Sequence, residues 1–172
     1  MIKNIKQEFN LYDILQNVAI GALACHSFVQ GYCVLAVSKN NKSNFPKLEY
    51  LFYVLPIVYH QDTMRTFKSS TELYTALVKN KSILLGLQDR ANKMSPQTFD
   101  ALNLAFNKEL LSINEANEIT INPEDLRSKI SIQATLGREN IVKNIQDTAR
   151  RLGNMFAKTD DKNIQLELNI RF

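Results

Sequence analysis

Between residues 18 and 37 apolar side chains recur every three or four positions: Val18, Ala22, Cys25, Val29, Cys33 and Val37. That spacing predicts a helix with a continuous apolar face. Asn17 stands just before it, where a side-chain oxygen can accept from the first unpaired N–H groups, so the helix is expected from there to about Ala36. A short helical lead-in is expected over Asn10 to Gln16, and the polar run Ser38 to Asn44 reads as a loop. Lys47 to Tyr59, opened by Phe45 and Pro46, is apolar almost all round and reads as the central buried helix. Pro56 inside it should kink it or end it a turn early, because the ring removes an N–H and crowds the carbonyl four residues back.

Ser69 and Glu72 have the spacing of a capping box for a helix to about Lys79. A second helix follows over Ser82 to Lys93, and Ser95-Pro96 signals the start of a third, to about Leu111. Phe99, Leu102, Phe106 and Leu110 form the apolar stripe of that third helix. Leu111-Ser112-Ile113 and Glu118-Ile119-Thr120-Ile121 alternate around a polar turn, the pattern of a small β-hairpin. Three helices and a hairpin is the order of a winged helix. Arg138 to Lys158 is the clearest helix in the chain, with Ile141, Ile145, Ala149, Leu152 and Phe156 on one face. Asn163 to Ile170 alternates as a terminal strand. The expected fold is thus α+β and predominantly α-helical, with a winged-helix-like centre, a small hairpin and a short C-terminal strand. It is read as one domain over residues 1–172: a helical core over 10–67, a winged-helix-like part over 69–122, and the long helix with its strand over 138–171.

Composition changes this picture little. The 172 residues, 45% of them hydrophobic, are enough to bury a core without metals or disulfides. The formal net charge of +4 is mild, well short of the dense basic blocks of a dedicated nucleic-acid binder. Val18 to Val37 carries no formal charge over 20 residues, but His26, Ser27 and Gln30 at its centre and Gly21 and Gly31 beside them favour a buried helix over a membrane span. Glu8 and Asp13 lie where a signal peptide would be basic, so a cytoplasmic location is expected.

Candidate chemistry is sparse. Cys25 and Cys33, eight apart on one helix, would lie about 12 Å apart, too far for a disulfide. No G-x-x-x-x-G-K-S/T, G-x-G-x-x-G or H-E-x-x-H pattern occurs, and His26 and His60 fall on different helices. No cofactor, metal or catalytic group is therefore expected. The third helix carries Asp100, Lys108 and Glu109, a poor set for reading DNA. Lys143 and Arg150 share a face of the last helix and, with Arg151, are the candidate contacts for DNA or an acidic partner.

Phe52-Tyr53-Val54-Leu55-Pro56-Ile57-Val58-Tyr59-His60, followed by Thr63 and Arg65, resembles a motif of the middle components of bacterial three-component ABC-ATPase systems of the Lamassu-like kind. Asn17-Val18-Ala19 through Phe28-Val29 and Gly31-Tyr32 resembles the opening helix of that family. Ala149-Arg150-Arg151-Leu152-Gly153-Asn154-Met155-Phe156-Ala157 resembles its A-x-x-L-G-x-x-F-A helix, and Leu168 to Arg171 its terminal strand. The resemblance implies a non-catalytic accessory subunit, bridging or regulating an SMC-like ABC ATPase and an effector nuclease in defence against phages or plasmids. DNA would be met through the complex, without a membrane. A Pro56 kink would present Val58, Tyr59 and His60 to a partner. The rival readings are a stand-alone winged-helix transcriptional regulator, and a small hydrolase using His60 and Cys25.

Overall fold

Asn17 does start the first helix. In the computed structural model, which describes residues 16–39, 43–128, 130 and 138–170, its Oδ1 accepts from the Ala19 N–H at 2.9 Å. Helix α1 then runs over Val18–Lys39. The expected lead-in lies outside the described residues except for Gln16. Helices α2 (Leu48–Val58), α3 (Gln61–Lys68), α4 (Leu73–Lys79), α5 (Leu87–Asn107), α6 (Arg138–Lys158) and α7 (Asp161–Leu168) follow. Strands β1 (Ser112–Ile113) and β2 (Ile119–Thr120) form an antiparallel hairpin with Ser112 opposite Thr120. Asn114 shapes its turn by accepting from the Ala116 and Glu118 N–H groups through one side-chain oxygen. The hairpin also closes the start of α2. Ile119 N–H donates to the Pro46 carbonyl, and the Leu48 N–H, unpaired within its own helix, donates to Asn117.

The fold hangs on the crossing of α1 and α6. A methyl group on Gly31 would collide with the Arg150 carbonyl, and one on Gly153 with the Phe28 carbonyl, so the two backbones touch where neither residue has a side chain. Phe156, one turn beyond, stands edge-on to Phe28 of α1 and to Tyr50 of α2, with ring centres 5.3 and 5.4 Å away. Helix α5 packs on α1 and α2 through small side chains, Ala91, Ala101 and Ala105 among them. Helix α1 is consequently covered on every side from Ile20 to Cys33, including His26, Ser27 and Gln30. Only near its end do Val34 and Val37 emerge, each about half exposed, so the six-residue face read from the sequence ends before Val37. This helix is long and apolar enough to cross a membrane, but protein covers most of it.

Several expected elements are corrected. Ser82–Lys93 and Pro96–Leu111 are not two helices: α5 is continuous, starting after Gly86 in the left-handed region, with Pro96 inside it. Pro96 is exposed and costs one hydrogen bond, whereas the buried face of α5 runs past it on both sides. Ser95 is no cap; its hydroxyl donates back to the Ala91 carbonyl. The separate helix from Pro96 to Leu111, on which the winged-helix-like centre rests, is thus the second half of α5, and the structure does not confirm that centre. Phe99, assigned to the apolar stripe, is about half exposed and stacks edge-on against Phe52. Ser69 caps no following helix either: it ends α3, a helix that the sequence reading passed over, and Glu72 precedes α4 without a side-chain cap. The C-terminal strand is a helix, α7. Asp160 Oδ1 accepts from the Asn163 N–H, Ile164 and Leu168 are buried one turn apart, and Leu166 faces solvent. Asp161 in its first turn accepts from the Tyr50 hydroxyl and pairs with Lys47, which fixes α7 against the start of α2.

Replacing either crossing glycine must force the helices apart. Gly31→Ala and Gly153→Ala are expected to lower stability by about 3 kcal/mol or more in urea unfolding. Gly21→Ala, whose methyl would meet the Ala101 side chain at 3.0 Å and those of Leu55 and Tyr59 at 3.6 Å but no backbone, should cost clearly less.

Candidate functional site

Pro56 sits in the last turn of α2, which stops at Val58. The chain then reverses within two residues. The Tyr59 N–H still donates to Leu55, while His60 is already extended and its carbonyl accepts from Met64 as the first bond of α3. The reversal lays α3 along the first half of α6. Between them opens a cleft of about 300 Å³. Val58, Tyr59, Met64, Ile141 and Ile145 give it an apolar floor; Gln61, Arg65, Lys68 and Asn144 form its rim. The Lys68 ammonium spans the mouth to the Asn144 side-chain oxygen at 2.6 Å.

Of the proposed partner contacts, Val58 and Tyr59 line this cleft. Val58 is fully buried, so it forms floor rather than a projecting contact. Tyr59 is partly buried, and its hydroxyl points inward near Gly21 with no hydrogen-bond partner among the described residues; burial pushes its pKa well above the ordinary value. His60 is not part of the lining. Its Nδ1 lies 3.2 Å from the hydroxyl of buried Thr63.

The three basic candidates do not form one surface. Arg150 Nη2 donates to Gln30 Oε1 at 2.6 Å. Gln30 Nε2 in turn donates to the Asp125 and Ser128 carbonyls, so this chain of bonds straps the 3₁₀ turn Pro123–Arg127 onto α1. Arg151, on the same line of α6 as Asn144, donates to the Lys68 carbonyl at the end of α3. Lys143 is exposed, two turns before Arg150 on the same face of α6. Sequence reasoning missed Met64, Lys68 and Asn144. The signal available was the amphipathic pattern of Gln61–Lys68, in which Thr63 and Phe67 face inward.

Elsewhere reactive groups are silenced by burial. Cys25 and Cys33 are free buried thiols, each pushed up to about 12. His26 has an Nε2 without a partner among the described residues. Burial lowers its pKa, Asp125 opposes that and Arg150 adds to it. Among the described residues no three His, Cys, Asp or Glu side chains come together as a metal site. A second cleft, of about 600 Å³, lies near the start of α7 and is lined by Lys47, Lys158 and Lys162 together with Glu118, Asp160 and Asp161, of which Lys47 and Asp161 pair.

A protein-family model matches residues 5–172, that of the ABC-three component (ABC-3C) system Middle Component 3. No curated protein and no solved structure matches the chain.

Two outcomes follow from the buried groups. Both cysteines should resist a thiol reagent at pH 8 until the protein unfolds, then react together. His26, buried with a lowered pKa, takes up its proton more readily in the unfolded chain. Stability is therefore full above pH 6.5 and falls as pH drops below that value toward the folded pKa. In unfolding curves between pH 7 and pH 5, His26→Gln should flatten this slope.

Proposed function

Because that match spans nearly the whole chain, the protein belongs to the family of middle components of ABC-three component systems, and we propose that it acts as a non-catalytic bridge between an SMC-like ABC ATPase and a nuclease-like effector in Lamassu-like defence. The family assignment carries this reading. The described residues support it from another side: the thiols and His26 are buried and strongly disfavoured in their charged forms, while an apolar cleft with a cationic rim lies open. Val58 and Tyr59 serve the bridge as the floor of that cleft, and His60 as the pivot that sets α3 against α6. Contact with DNA or an acidic partner along α6 is assigned to Lys143, Arg150 and Arg151, of which Arg150 also bonds Gln30 and Arg151 the Lys68 carbonyl.

The test is purification of the tagged chain from its host at moderate salt, with the co-purifying proteins identified and their ratio measured. The bridge reading expects a large coiled-coil ABC ATPase and a second, nuclease-like subunit in fixed ratio. A monomer with no partner, or DNA alone, overturns it. If Lys143 touches DNA within the complex, Lys143→Glu lowers the slope of log affinity against log salt by about one.

A further inference from the structure

The cleft between α3 and α6 has a chemical preference that its position alone does not explain. Both charged side chains at its rim, Arg65 and Lys68, are cationic and exposed, and no carboxylate lines it among the described residues. Asp62, the acidic residue of α3, stands three positions before Arg65 but does not line the cleft, whereas Gln61, Met64, Arg65 and Lys68 do. Arg151 adds a third cation beside the mouth, held there by its bond to the Lys68 carbonyl. The Lys68 ammonium is bonded to a neutral amide oxygen, a weaker partner than a carboxylate. The floor is apolar, and about 300 Å³ accommodates one large apolar side chain or two small ones, at the lower end of ligand-pocket volumes.

We infer that this cleft binds an acidic amphipathic segment of a partner subunit, with an apolar side chain seated between Met64 and Ile145 and carboxylates placed against Arg65 and Lys68. Charge complementarity selects the occupant. A nucleic-acid backbone would satisfy the cations but has no apolar group for the floor, and a second copy of this chain would bring its own positive excess of four charges to a cationic rim. An apolar floor with a charged rim is the arrangement in which a helix lays one face into a groove and its flanking charges set register. The inference rests on the bridge reading, because the segment must come from a subunit of the same complex.

The experiment uses the complex purified through this chain. A photo-cross-linking residue at Gln61, an exposed rim position, is activated and the captured peptide is identified by mass spectrometry. In parallel, the double variant Arg65→Glu/Lys68→Glu is compared with Lys93→Glu/Lys108→Glu, an equal charge change at exposed sites on α5 and just past its end, for retention of the partner across a salt series. The expected result is a cross-linked peptide of net negative charge containing a large apolar residue. Partner affinity should fall about tenfold or more, with weaker salt dependence, in the rim variant alone. A neutral or basic peptide, a cross-link to nucleic acid, or equal behaviour of the two double variants overturns the inference. If the complex is intact in those cases the bridge reading stands and only the cleft assignment falls. If no complex can be purified at all, both fall.

Discussion

The backbone contact of α1 and α6 at Gly31 and Gly153 is the constraint from which the rest follows. Two helices with ordinary side chains keep their axes 8–10 Å apart; glycine at both contact points lets each backbone press against a carbonyl of the other. Packing at that range buries the polar groups of α1, and a buried polar group is costly unless it finds a partner. Gln30 finds one in Arg150 and two backbone carbonyls, and so turns a polar liability into the strap that holds the Pro123–Arg127 turn. Phe156 completes the arrangement by bringing α2 onto the same point.

The crossing also produces the cleft. Helix α6 has 21 residues and is about 30 Å long, and the close approaches at Arg150 and Gly153 lie in its second half. Ile141, Asn144 and Ile145 of its first half line the cleft beside α3. Pro56 ends α2 close enough for the chain to reverse at Tyr59 and His60 and send α3 alongside. The reversal covers α6 incompletely, and the uncovered part is the apolar floor. A surface built on two helices fixed by a rigid crossing can hold its shape before any partner arrives.

Such a molecule suits an accessory component. Here the thiols are pushed up and His26 is pushed down by the same cause, burial, and these groups belong to the core. What stays outside is shape and charge, the means by which subunits recognise one another.

Periodicity made α1, α2 and α6 legible, together with the hairpin, because each repeats an apolar spacing over several turns or alternates across a clear polar turn. Several residues behind the family resemblance, Gly31, Ala149, Leu152, Gly153 and Phe156, lie at the crossing. The sequence alone could not say that they meet, since contacts between positions more than a hundred residues apart leave no local spacing. The errors came where a local signal was weighed without its surroundings. Ser95-Pro96 is a sound helix start in isolation, but the buried face of α5 on both sides outweighs one lost hydrogen bond. Asn163 to Ile170 alternates like a strand, yet no neighbouring strand is there to pair with it, and Asp160 and Asp161 supply a cap and an anchor for a helix instead. The sequence by itself determined the main helices, the hairpin and the family, all properties of local spacing and residue identity. Only the tertiary structure decided that Arg150 turns inward while Arg65 and Lys68 stay out beside an apolar floor, because a side chain's surroundings depend on which distant helix lies against it.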